Sequence, residues 1–171
     1  MKQVLETERL ILREHTVDDA ENVYNLNLDP EVIKYTGDVA FLRIEEARDF
    51  LNNYNHYNKY GFGRWAVIEK ATNEYLGWCG LKYTPELNEY DIGFRFLKKC
   101  WNKGYASEAA MACVELGLNK LEIKTIVGRA MKANLASIKV LQKIGLKLFE
   151  DRKCGGEEGV VYSINKSNAY Y

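Results

Sequence analysis

Apolar positions recur at two periods along this chain, and the switch between them divides it into elements. Leu10 and Leu12 share one face of a strand over Glu8–Glu14, with Arg9, Ile11 and Arg13 on the other. Thr16 offers an N-cap, and Asp18 and Asp19 suit the first turn of a helix that carries Ala20, Val23, Tyr24 and Leu26. Asp29-Pro30 starts a short helical piece that Gly37 ends. Ala47, Phe50, Leu51 and Tyr54 lie on one face of a second helix, Arg43–Tyr60, which Gly61-Phe62-Gly63 breaks.

Period two then takes over. Trp65–Glu69, Tyr75–Tyr83 and Glu89–Leu97 read as strands joined by short turns, which predicts an antiparallel meander. A helix ending at Asn119 follows, with Ala109, Ala110, Cys113, Leu116 and Leu118 available for burial. Lys124–Ala130 is a β-branched strand. Asn134 caps a helix over Leu135–Ile144, and Gly145 fits its C′ position. Lys147–Arg152 and Val160–Asn165 form a terminal hairpin around Gly155-Gly156. The expected fold class is α+β of the three-layer α/β type, a mixed, mainly antiparallel sheet flanked by helices, in one domain over residues 1–171.

Composition narrows the partners. Lys plus Arg and Asp plus Glu balance at 24 each, so the basic footprint of a nucleic-acid binder is missing. The four cysteines make no C-x-x-C pair and the two histidines lie far from them, so no metal site is expected. The first 14 residues carry no apolar core of a secretory signal, and no stretch approaches a membrane span. A cytoplasmic protein with free thiols and no membrane partner is the expectation.

The segment Cys100 to Glu108 carries the first chemistry. A strand, a loop containing Gly104 and a helix N-terminus together make an anion site, because the first helical N–H groups lack intrahelical partners. Lys98, Lys99 and Lys103 add charge nearby. The loop has neither a P-loop pattern nor a dinucleotide fingerprint, so it is an anion site of another kind.

Asp91-Ile92-Gly93-Phe94-Arg95-Phe96 followed by Trp101-Asn102-Lys103-Gly104-Tyr105-Ala106-Ser107-Glu108-Ala109 resembles the GNAT superfamily of N-acetyltransferases, and within it the RimJ/RimL-like branch that acetylates ribosomal-protein N-termini. Glu8 to Arg13, Gly63 to Val67, Leu76 to Leu81 and Asn134 to Leu146 agree in order and spacing. The resemblance implies acetyl-CoA as co-substrate. Phe94, Arg95 and Phe96 would line the pantetheine arm, the amides of Asn102, Lys103, Gly104, Tyr105, Ala106 and Ser107 would hold the pyrophosphate, and Asn134 would contact the pantetheine region. Glycine is usual at the place of Asn102, whose side chain tolerates left-handed backbone. Family members are monomers or homodimers.

Acetyl transfer needs a neutral amine. A free α-amine, with a pKa of about 7.7–8.0, is roughly one-tenth neutral at pH 7, whereas a lysine-like amine near about 10.4 is neutral about once in 2,500 molecules. Asp91 stands where the family often has glutamate and is the expected base, with Glu89 on the same face and Arg95 a candidate partner. Leu141 occupies the place of the family's usual catalytic tyrosine, and the resemblance to the RimL-like branch implies Ser137 as the acid in its stead. Trp65, Trp78, Tyr83 and Phe94 read as core, and tyrosines before the meander as candidate walls of the acceptor pocket. The expected acceptor is a protein or peptide N-terminus. A small amine is the alternative, favoured if Asp29, Glu31, Asp38, Glu45 and Asp91 formed an acidic pocket. The third reading is a non-catalytic acyl-CoA-binding module.

Overall fold

In the computed structural model, which describes residues 2–168, an unexpected strand, β1 (Gln3–Glu6), precedes the period-two segments, which become β2 (Leu10–Arg13), β3 (Arg64–Glu69), β4 (Tyr75–Thr84), β5 (Glu89–Phe96), β6 (Thr125–Met131), β7 (Lys147–Asp151) and β8 (Gly159–Asn165). The helical segments become α1 (Ala20–Leu28), α2 (Pro30–Ile33), α3 (Ile44–Asn53), α4 (His56–Tyr60), α5 (Tyr105–Asn119) and α6 (Leu135–Lys143). One sheet holds the eight strands in the order β1-β2-β3-β4-β5-β6-β8-β7. Its pairs are antiparallel except for β5 with β6, which the crossover through α5 makes parallel.

Two expectations need correction. The strand expected over Glu8–Glu14 starts only at Leu10, because Thr7 N–H closes a turn on Leu10 O at 2.9 Å and folds β1 back against β2. The single helix expected over Arg43–Tyr60 is two. Tyr54 leaves the helical conformation between α3 and α4 and accepts the Arg64 N–H on its hydroxyl at 2.7 Å. The break in the helical period coincides with this tertiary bond. The meander and the α6 cap stand as expected, and Gly145 (φ 91) follows α6.

Helices cover both faces. Leu81, Ile92, Phe96 and Ile126 pack in the core beneath α5 and α6, and Leu26, Val32, Ala66, Ile68 and Tyr75 form a smaller cluster on the opposite face. Small residues let α5 sit low on the sheet. A Cβ on Gly117 would lie 2.7 Å from Ile126 Cδ1 and 2.8 Å from Leu81 Cδ1.

One feature of the sheet positions the site. β5 pairs with β4 from Glu89 to Phe96, and β6 pairs with β8 from Thr125 to Met131. Between β5 and β6, however, only Tyr90 with Ile126 and Asp91 with Val127 are in register. Beyond Asp91 the two strands part, and a cleft of about 460 Å³ opens between them.

Candidate active site

The loop after β5 is shaped by two left-handed residues, Asn102 (φ 60) and Gly104 (φ 83). Asparagine adopts this conformation more readily than other side chains. Glu108 is the first residue of the helix to close a bond onto the loop, to Gly104 O at 3.0 Å. Among the described residues, none of the N–H groups from Asn102 to Ser107 donates to a protein acceptor. Consecutive free amides at the positive end of a 15-residue helix suit an anion with several oxygens.

Arg9, between β1 and β2, braces this loop. Its Nη1 donates to Lys103 O at 3.0 Å, its Nε to Glu108 Oε2 at 2.7 Å, and its guanidinium lies 4.5 Å from the Tyr105 ring centre. Tyr105 is tied in turn to Glu69 through its hydroxyl. Lys99 is paired with Glu74 at 2.9 Å, whereas Lys98 and Lys103 have no ion pair among the described residues.

The free edge of β5 leads from this loop into the cleft. Leu97 N–H donates to Leu76 O on the β4 side, so by alternation Phe94 and Phe96 turn their amide groups toward the cleft and Arg95 turns its own toward β4. The Phe96 carbonyl is already taken by Trp101 Nε1 at 2.9 Å. Phe94, Asn134, Ser137 and Leu141 line the cleft together with Asp91. Asn134 Oδ1 caps α6 by accepting the Ser137 N–H at 3.1 Å, while the Ser137 hydroxyl has no partner among the described residues.

Asp91 does not pair with Arg95. Its carboxylate, on a residue only 8% exposed, is held by the guanidinium of Arg64, which also donates to Asp91 O at 3.0 Å and to Gly80 O. Arg64 crosses two strands to get there. Arg64 is level with Gly80, and Gly80 with Gly93, across β3, β4 and β5. A Cβ on Gly93 would lie 2.6 Å from Arg64 Cζ. At its own strand Arg64 is gripped by two tyrosines: Tyr54 accepts its N–H and Tyr57 donates to its carbonyl. Gly63 leaves room for both rings, since a Cβ there would fall 2.6 Å from Tyr57 Cε1. Asp91 Oδ1 stands 3.8 Å from Arg129 Nη1, beyond hydrogen-bond reach.

Trp78, expected as core, packs against the smaller apolar cluster without being fully enclosed. It is half-buried and forms a wall shared by the cleft and a second hollow of about 280 Å³. Arg64 and Arg95 each place Cζ 5.4 Å from its ring centre. Arg95 is then bound by Asn27 and Asp38. The second hollow has apolar walls that include Val23, Leu26, Phe41 and Phe50, with Tyr54 and His15 beside them. His15 contacts Tyr75 Oη at 3.3 Å and Arg64 O at 3.2 Å, and burial pushes its pKa down to about 4, so the ring is neutral.

No acidic pocket forms. Of the carboxylates expected to make one, only Asp38 and Asp91 line either cavity, and each is paired with an arginine. Asp29 instead caps α2 through Glu31 N–H at 2.9 Å. Glu89 accepts from Arg129 and Arg152. Burial raises its carboxyl pKa, but these bonds outweigh that and hold it below the ordinary value, so it is ill suited as a base. Sequence reasoning missed Arg64 altogether. Its signal was the glycine before it and the glycines level with it on the next two strands. Among the described residues, no helix is long and apolar enough to cross a membrane and no group of side chains is placed to hold a metal ion.

Residues 9–147 match the acetyltransferase (GNAT) domain family. The chain is 32% identical over 147 residues to an uncharacterized N-acetyltransferase, p20, of Bacillus licheniformis, covering 85% of this chain and 83% of that protein. It is 30% identical over 183 aligned positions to an FsC-acetyl coenzyme A-N(2)-transacetylase of Aspergillus fumigatus, covering 95% and 76%. A crystal structure of a GNAT-family acetyltransferase from Bacillus anthracis superposes with a TM-score of 0.82 at 31% identity, covering 95% of this chain and 98% of that one. The parted strands and the free amides are thus set in a known frame: the chain belongs to the GNAT family and is an acetyl-CoA-dependent N-acetyltransferase.

Proposed function

We propose that the chain transfers the acetyl group of acetyl-CoA to the α-amine of a protein or peptide N-terminus. The observation that carries the acceptor class is that the carboxylate lining each cavity, and Glu89 beside the cleft, are all engaged with arginines: Asp91 with Arg64, Asp38 with Arg95, Glu89 with Arg129. No acid is left to hold a polycation. No strong base is left to strip a proton from a lysine-like ammonium either, whereas an α-amine is already about one-tenth neutral at pH 7.

The residues divide the work. The amides of Asn102 to Ser107 would hold the pyrophosphate, and Phe94 would pair with the pantetheine arm through its N–H and carbonyl. Bound acetyl-CoA supplies the acyl group already activated as a thioester. Asp91 Oδ1, the oxygen not bonded to Arg64, takes the amine proton through a water, and the Ser137 hydroxyl donates toward the departing sulfur. Gly37 and Gly155 approach closely enough that a Cβ on the former would sit 3.7 Å from the Cα of the latter. This contact joins the loop after α2, whose Tyr35 and Thr36 line the cleft, to the β7–β8 turn, whose Gly155 lines it too. A chain end passes under such a roof more readily than the middle of a chain.

A small amine is the second reading, favoured by the name of the Aspergillus relative, a transacetylase acting at an N(2) position. Thiol release from acetyl-CoA, measured against a peptide panel and an amine panel, tests both. Turnover on peptides with free N-termini is expected. Turnover confined to polyamines would overturn the proposal, and tight CoA binding without turnover on either panel would favour the non-catalytic module.

A further inference from the structure

Three cations from β6 and the segment after β7 line the cleft: Arg129, Arg152 and Lys153. They share little negative charge. Glu89 alone serves two of them, accepting from Arg152 Nη1 with its Oε1 at 2.8 Å and from the Arg129 guanidinium with its Oε2. Arg152 is further bound to Glu150, its Nε to Oε1 at 2.6 Å. Arg129 keeps spare donors. Its Nε is buried without a partner among the described residues, and its Nη1 is 3.8 Å from Asp91 Oδ1, too far to bond. Lys153 is exposed and has no ion pair among the described residues.

These cations do not face the cofactor's phosphates. Glu89 opens β5, and the free amides follow its other end, after Phe96. Arg129 reaches Glu89 from β6, and by alternation it lies on the face of the sheet opposite Gly128 and Ala130, which pack against α6 and the core beneath α5, the helix that the free amides open. The pyrophosphate loop has its own donors there. A cationic cluster on the Asp91 face of the cleft, beside the proposed base and not beside those amides, answers to a charge on the acceptor.

We propose that the acceptor carries a carboxylate a few bonds from its reacting amine, and that Arg129 and Lys153 hold it. This rests on the transferase reading above and narrows its substrate class. The close approach of Arg129 to Asp91 puts the anion near the amine that Asp91 serves, so the carboxylate belongs to the first or second residue of a peptide, or to a free amino acid. An unpartnered buried guanidinium nitrogen gains a full charge-assisted bond when such a group arrives.

The test compares kcat/KM for peptides identical except for Glu, Gln or Lys at the second position, with free glutamate against its α-amide as a second arm. A preference of about tenfold or more for the carboxylate over its neutral analogue in either arm is expected, with the Lys peptide poorest. Raising salt to about 0.5 M compresses it, as screening requires. Lys153→Gln lowers the Glu-to-Gln ratio about threefold, and Arg129→Gln lowers it further. Absence of preference in both arms, a Lys peptide as good as the Glu peptide, or a ratio that survives both substitutions overturns the inference. Where nothing turns over, the transferase reading is what has failed. The charge inference is then read separately, by calorimetric Kd values of the same compounds in the presence of CoA. A Glu peptide binding no tighter than the Lys peptide overturns it.

Discussion

The Arg64 guanidinium closes on the Asp91 carboxylate from two strands away, over the bare backbone of Gly80 and Gly93. Both partners are largely buried, with side chains 16% and 12% exposed. Removing Arg64 leaves Asp91 with Arg129 alone, 3.8 Å away and beyond hydrogen-bond reach, and breaking a buried pair in this way costs about 3 kcal/mol. Arg64→Ala therefore lowers the denaturation midpoint strongly, and activity with it. Gly93→Ala attacks the same bond without touching either charge, because its Cβ would stand 2.6 Å from Arg64 Cζ. We expect a loss of about tenfold in kcat. In the Arg64→Ala background the glycine substitution adds little, since the two act on one contact. Additive losses would show that Gly93 serves something else.

Asp91 as proton acceptor has its own signature. Asp91→Asn keeps the shape and removes the base. At pH 6 nearly all of an α-amine is protonated and needs a proton acceptor, while at pH 9 most is neutral. The wild-type to variant ratio of kcat/KM is expected to fall as pH rises. A ratio flat from pH 6 to 9 would assign Asp91 to holding Arg64 instead.

How far the site could be read from sequence follows from the range of the interactions. Asn102, Gly104 and the α5 N-terminus are neighbours in the chain, so the amide loop is a local pattern and was legible. So was the alternation that gave β3, β4 and β5. The Arg64–Asp91 pair was not, because it depends on register across three strands, and nothing local to Asp91 distinguishes Arg64 from Arg95 as its partner. Trp78 has the period of a core residue, and only the parting of β5 from β6 turns it into a cavity wall. The break at Tyr54 was hidden for the same reason. It coincides with a hydrogen bond to a residue ten positions away, which the helical period does not announce.

Arg9 offers a prediction about the cofactor alone. It bonds to Lys103 O and to Glu108, and Glu108 is also bonded by Thr7, so the hairpin of β1 and β2 clamps the loop from beneath. Arg9→Ala frees Lys103 O and leaves Glu108 with fewer donors. The free amides then lose their common orientation. KM for acetyl-CoA is expected to rise about tenfold with a smaller change in KM for the acceptor. Arg9→Lys restores little, since a single ammonium nitrogen lacks the planar fork whose separate nitrogens reach Lys103 O and Glu108. Equal changes in both Michaelis constants would mean that Arg9 supports the fold in general.

His15 predicts how stability depends on pH. Its folded pKa is pushed down to about 4 by burial, against an ordinary 6.5. The unfolded chain therefore binds the proton first. The contribution of the neutral ring is complete above about pH 6.5 and is lost as pH falls toward 4. The difference corresponds to as much as about 3 kcal/mol. Asp19, Glu89 and Glu108 have lowered carboxyl pKa values, so their share is lost only below the ordinary carboxylate range, and the two windows separate. His56 is shifted in the same direction as His15, also chiefly by burial, so the measurement belongs in a His56→Gln background. There, urea denaturation between pH 6.5 and 5 should show stability falling with pH, and His15→Gln should flatten that slope. The substitution also loosens the ring's contacts with Tyr57 and Tyr75, which lowers stability at every pH without adding a slope. A slope that persists in the His15→Gln protein would place the titrating group elsewhere.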